Sequence, residues 1–230
     1  MTAELLYGPL TEWLRSLRPA DPVPIVEIEV ISLKKDWTEM TEADLGFLSI
    51  EERERLDRIE TPSRKIEYWA GRRALARVRD RLTSQGVGQG SYSLSHSEIG
   101  GRLLLVAIGV GAGWGVGVDL EASSRAFTEK AAGRWTQPSE ARWVSGDLGA
   151  LGLWCVKEAC FKAHSEGGKV QTGALVPQYE VSLVQAFDGN RDRLQGRAQW
   201  KGSTAGFDFL VLRDTATLIC FALKTGSRVD

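Results

Sequence analysis

An α+β fold is predicted by the order of hydrophobic periods along the 230-residue chain, which runs helices, strands, helices, strands. A second observation is the length of the two helix-then-strand blocks, which is similar. These features fit either a duplicated α+β architecture whose halves meet near 110–125 or one continuous α+β domain without internal symmetry, and no strong sequence repeat separates the two.

In order, residues 2–18 (TAELLYGPLTEWLRSLR) read as an amphipathic helix, and PIVEIEVISL at 24–33 alternates apolar and polar side chains at the period of a half-buried strand. A first sheet is expected to start there. Charged residues dominate 51–65. Thr61-Pro62 then supplies a cap and first-turn proline for a helix carrying Ile66, Trp69, Leu75, Val78 and Leu82 and ending near Gly86. Strands are predicted in YSLSHS (92–97), RLLLVAI (102–108) and WGVGVDLE (114–121). Helices follow over about 126–165, and four strand-like runs lie between 178 and 224.

Composition excludes several classes. With 43% hydrophobic and 26% charged residues the chain has the balance of a soluble globular protein, and a net charge of -1 gives no global attraction to nucleic acid or membrane. Cys155, Cys160 and Cys220 are an odd number without metal-ligand spacing, which excludes a disulfide framework and a zinc cluster and suits a reducing compartment. The N-terminal stretch lacks the apolar run and cleavage site of a signal peptide, so a cytoplasmic protein is expected. The nearly apolar stretch 103–117 is shorter than the roughly 20 residues that span a bilayer, and no membrane segment is predicted.

Gly109, Gly111, Gly113, Gly115 and Gly117 fall at every second residue. No window in the run fits G-x-G-x-x-G or a P-loop, and the segment leads into a strand, so a dinucleotide or Walker site is not expected. The expectation is a turn plus a strand whose glycine face admits another backbone or a ligand at close range.

Asp119 and Glu121, two apart in a predicted strand, leave the same face and can converge on one cation. Such a pair is more often solvated surface. In LWCVKEACFKAH (153–164) Trp154, Glu158 and Lys162 lie at i, i+4 and i+8 of a helix. Glu158 and Lys162 could equally form an ordinary helix-surface pair. Apolar Trp154 and Phe161 beside these charges point to a cleft. Three carboxylates suit a hard ion such as Mg²⁺, which keeps waters and substrate phosphates as its other ligands. Only His96 and His164 are present, and neither sits in a zinc-protease pattern.

Three segments, SLSHS at 93–97, GVDLE at 117–121 and WCVKEACFKA at 154–163, resemble in order and spacing the surfactin-synthetase-activating type of 4'-phosphopantetheinyl transferase. RKIEYWAGRRALARV at 64–78 is a weaker match to the arginine-bearing helix of that family. The resemblance implies two similar α/β halves in pseudo-twofold arrangement, here 1–115 and 116–230, with the active site in the cleft between them. It also implies transfer of the 4'-phosphopantetheine arm of coenzyme A to a serine of an apo acyl or peptidyl carrier protein, releasing 3',5'-ADP. A single chain of this length resembles the monomeric branch. Asp119, Glu121 and Glu158 match the magnesium ligands, and Lys162, with Lys157, the lysines near the pyrophosphate. Ser95 and His96 match the pair near the 3'-phosphate, Arg72 a basic position on the preceding helix, and Arg55 a further phosphate contact. Glu158 is the candidate general base. Glu98 after SHS and the glycine run depart from the family pattern.

Two other functions use the same residues. A magnesium-dependent hydrolase of nucleotide pyrophosphates needs the carboxylates and lysines but no protein partner, and a degenerate coenzyme- or carrier-binding module needs no chemistry. Residues 127–144 (FTEKAAGRWTQPSEARWV) are the expected carrier-docking segment, with Phe127 and Trp135 as apolar anchors and Lys130, Arg134 and Arg142 as a basic rim; the alternative is that the tryptophans belong to the core of the second half, which is the expectation for Trp143.

Overall fold

The computed structural model describes residues 2–17, 24–34, 41–164, 176–201 and 205–225. Residue 165, where the predicted helical region ends, lies outside them. The amphipathic start forms helix α1 (Ala3–Leu17), whose Leu6, Leu10, Trp13 and Leu14 make one buried stripe. Strand β1 (Val26–Lys34) follows. The charged stretch, which carries too few apolar residues for a clear period, nonetheless forms helix α2 (Ile50–Asp57). Its start is set by a capping box: Ser49 Oγ accepts from Glu52 N (3.2 Å), and Ser49 N donates to Glu52 Oε2 (3.1 Å). Helix α3 (Pro62–Ser84) begins at the predicted proline.

Strands β2 (Gly90–Ile99) and β3 (Arg102–Gly111) are joined at Gly100 and Gly101, both at positive φ (59° and 72°), as a two-residue hairpin demands. The chain leaves this sheet, of order β1-β3-β2, at Gly111 and enters a second through β4 (Gly115–Ala122). Short helices α4 (Glu129–Ala132) and α5 (Ala141–Val144) lead to helix α6 (Gly149–His164). Strands β5 (Tyr179–Phe187), β6 (Asn190–Trp200), β7 (Gly206–Arg213) and β8 (Thr217–Thr225) complete an antiparallel sheet of order β4-β8-β7-β6-β5. The fold is α+β.

Period-two alternation distributes the core over three clusters. Leu103, Leu105 and Ala107 of β3 face α3, whereas Leu104, Val106, Ile108 and Val110 face a central cluster. Leu218, Cys220 and Ala222 of β8 face α6, whereas Ile219, Phe221 and Leu223 enter that same central cluster, which α1 covers. Strands such as β3 and β8 are therefore buried on both faces, which is why RLLLVAI is continuously apolar.

Candidate active site

On β4 the central cluster takes Val116, Val118 and Leu120, so Gly115, Gly117, Asp119 and Glu121 must leave the opposite face, toward α6. Gly117 lets the helix come in. A Cβ there would lie 1.8 Å from Ala159 O and 2.6 Å from Ala163 N, and one at Gly115 would lie 2.4 Å from Ala163 O. The glycine face thus admits another backbone, as expected, and no nucleotide loop forms. Ala159 and Ala163 seat α6 on the two glycines. Glu158 and Lys162, one residue earlier in the same two turns, are thereby carried to Asp119 and Glu121.

The contacts are specific. Lys162 Nζ donates to Asp119 Oδ1 (2.7 Å) and to Val118 O (3.1 Å). Ser95 Oγ donates to the same Oδ1 (3.0 Å). Glu121 is paired with Arg125, whose guanidinium also lies over the Phe127 ring, 4.9 Å from its centroid. Phe127, Trp135 and Trp154 form an aromatic triangle with centroids 5.4–5.7 Å apart. Arg125 is a site residue that sequence reasoning missed. Its signal was present as a cation four residues beyond Glu121, but an i, i+4 pair is expected on a helix and here follows a strand.

Charge crowding marks the same place. Burial, with the Asp119 charge second, raises the Glu121 pKa above the ordinary carboxylate value, and Arg125 and Lys162 counter it. Glu158 is likewise raised, first by burial and then by Asp119, against the pull of Lys162 and Arg125. Burial and the Asp119 charge push the Cys155 thiol well up, which leaves that sulfur inert.

Asp119, Glu121 and Glu158 fit a hard cation in chemistry. All donors are carboxylate oxygens, their mutual repulsion would be relieved by a divalent charge, and Asp119 Oδ2 is buried without an N–H or O–H donor among the described residues. No group of three His, Cys, Asp or Glu side chains among the described residues is already gathered around a point. Lys162 and Arg125 hold the counter-ion positions instead, so a cation would enter by displacing side chains that are partly exposed.

The remaining predicted residues separate. Lys157 is a correction to its placement beside the pyrophosphate. Its side chain is 0% exposed, with Nζ donating to Glu140 Oε2 (2.7 Å) and Trp135 O (2.8 Å). The reason is helical: position 157 is turned about 100° from Glu158, into the core of the second sheet. Burial lowers the Lys157 pKa, and the bond to Glu140 opposes that shift. Arg55 on α2 and Arg72 on α3 are brought together over Tyr68, at 5.9 and 5.1 Å from its ring centroid, with Arg72 also paired to Glu52 (3.6 Å). Ser95 is buried, whereas His96 is exposed on the opposite face of β2, the side that carries Tyr92 and Leu94 against α3.

The docking expectation at 127–144 is also corrected in its apolar part. Trp135 is buried and Phe127 packs on it, and Trp143 donates its indole N–H to Val181 O (3.2 Å). These rings complete the core over α6, whereas Lys130, Arg134 and Arg142 are exposed.

Residues 115–202, from the start of β4 to just beyond β6, match the family model described as the 4'-phosphopantetheinyl transferase superfamily. No curated protein matches the chain. Among the described residues no helix is long and apolar enough to cross a membrane.

Proposed function

We propose that this protein is a phosphopantetheinyl transferase of the surfactin-synthetase-activating type, moving the 4'-phosphopantetheine arm of coenzyme A to a serine hydroxyl of an apo carrier protein. The observation that carries the reading is the convergence of Asp119, Glu121, Glu158 and Lys162, from one strand and one helix, inside the stretch that matches the superfamily model.

Asp119, Glu121 and Glu158 would hold Mg²⁺, which supplies charge neutralisation at the pyrophosphate and at the departing 3',5'-ADP. Lys162, already reaching into the cleft from α6, moves from Asp119 to a phosphate oxygen when substrate enters, keeping the charge balance of the site. Arg55, Arg72 and His96 supply cationic and donor groups for the 3'-phosphate from the first sheet and its helices. Glu158, whose pKa is raised by burial, takes the serine proton directly or through a water. The phosphorus–oxygen bond to the pantetheine phosphate forms as the pyrophosphate bond breaks. Exposed Lys130, Arg134 and Arg142 give the acidic carrier an electrostatic approach.

The test is incubation of the purified chain with coenzyme A, Mg²⁺ and a panel of apo carriers, read by intact-protein mass spectrometry. The reading requires a phosphopantetheine adduct on the carrier serine that disappears with EDTA and in Asp119→Asn. Release of 3',5'-ADP without carrier modification would assign the pyrophosphate-hydrolase reading instead.

A further inference from the structure

The two sheets are joined at an unusual seam. β2 and β4 belong to different sheets, yet Ser93 Oγ accepts from Val118 N (3.0 Å) and Ser95 Oγ accepts from Leu120 N (3.1 Å). The serines are spaced by two on β2 and the amides by two on β4, so the strands run alongside each other in the same direction. Side-chain hydroxyls stand where backbone carbonyls would complete a parallel ladder. They satisfy an edge of β4 that burial would otherwise leave unpaired.

Ser95 does more than Ser93. A hydroxyl has one proton and two lone pairs. Ser95 donates its proton to Asp119 Oδ1 (3.0 Å) and accepts from Leu120 N (3.1 Å) and from Lys162 Nζ (3.2 Å). Its hydrogen-bonding capacity is filled, its residue is 6% exposed, and its neighbour His96 faces the other side of the strand. The one proton of Ser95, which a phosphate oxygen would need, is committed to Asp119.

We infer that Ser95 is a positioning residue for Asp119 and Lys162, through which the first sheet sets the geometry of carboxylate and ammonium on the second, and that it makes no side-chain contact with coenzyme A. The inference rests on the proposed transferase reading for its coenzyme A and Mg²⁺ tests, whereas the seam itself is tested by hydrogen exchange without it. By holding Oδ1, Ser95 leaves the buried Oδ2 of Asp119 as the oxygen free to meet a cation.

Ser93 provides the control, since it makes the same kind of seam bond but touches neither Asp119 nor Lys162 among its hydrogen bonds. Ser95→Ala, Ser93→Ala and Ser95→Thr are compared in the full-length chain by transfer kinetics, Mg²⁺ titration calorimetry and amide hydrogen exchange. Ser95→Ala is expected to lower kcat and Mg²⁺ affinity by about tenfold or more, with KM for coenzyme A held within about twofold. Ser93→Ala should leave both near wild type while accelerating exchange at Val118, as Ser95→Ala does at Leu120. Ser95→Thr, which keeps the hydroxyl, should restore Mg²⁺ affinity. A raised KM for coenzyme A with kcat preserved in Ser95→Ala would overturn the inference, as would equal losses in the two alanine variants. If wild type transfers nothing, the proposed function fails. The exchange contrast between Ser95→Ala and Ser93→Ala, with faster exchange spreading along α6 around Lys162 in Ser95→Ala alone, still decides the role of Ser95.

Discussion

Arg125 and Lys162 act in this conformation as internal counter-ions for the carboxylates that the proposed function assigns to a divalent cation. The guanidinium on Glu121 is nearly half exposed although the carboxylate is buried, so a cation can take its place from the solvent side. Removing it should therefore help the metal: Arg125→Ala is expected to tighten Mg²⁺ binding by about two- to fivefold, measured by calorimetry. Looser binding would show that Arg125 supports the site instead of competing for it. Glu158 gives a pH signature. Its folded pKa lies above its ordinary 4.5, so the folded protein binds that proton more tightly than the unfolded chain and loses stability as pH rises through the folded value. In EDTA, Glu158→Gln should thus melt higher than wild type at pH 7, with the gap closing as pH falls toward 4.5. Added Mg²⁺ should reverse the order by stabilising wild type. Thermal unfolding over a pH series checks both signs.

At the scale of the element, the decisive contact is α6 on β4. Helix and strand approach so closely because Gly117 lacks a side chain, and Ala159 O occupies the place a Cβ would take. Gly117→Ala forces one backbone to move. A cost of about 3 kcal/mol is expected, near the top of the range for overpacking. Calorimetry should show this as a drop in Tm of about 6–12 °C for a chain of this size. Because α6 carries Glu158 and Lys162, the same variant should lose transfer at temperatures where it is still folded. Retained activity with a lowered Tm would separate the packing role of Gly117 from its role in aligning the site.

The whole molecule is held by a central cluster to which both sheets and α1 contribute. Trp13 of α1 belongs to it, with no exposed surface and no partner for its indole N–H among the described residues. Trp13→Ala should cost about 3–5 kcal/mol, the range for large aromatic truncations. Since the cluster spans both sheets, the loss should appear as one cooperative transition at lower denaturant concentration. Two separate transitions, only one of them shifted, would show that the sheets unfold independently. The Ser93 and Ser95 seam belongs to the same scale, as it carries information between sheets through a few hydrogen bonds.

Much of this was legible in the sequence because it depends on local period. The boundaries of α3, the presence of strands β2 and β3 and the common face of Asp119 and Glu121 follow from the spacing of apolar residues, caps and turns, which act over a few residues at a time. The glycine run was also readable as a face for close approach, although not which backbone would use it. Helix α2 escaped notice because its start depends on a capping box and its sides are almost all charged. Other features depend on chain segments far apart in sequence, and only tertiary structure decides them. Lys157 and Glu158 are neighbours, yet one is sealed against Glu140 and the other lies among Asp119, Lys162 and Arg125, because the two side chains leave different faces of α6. Ser95 and His96 are likewise neighbours on opposite faces of β2. The sequence determined which residue types the site contains; the packing of β2 and α6 on β4 decided which of them meet, since a side chain's partners are set by what lies across from it.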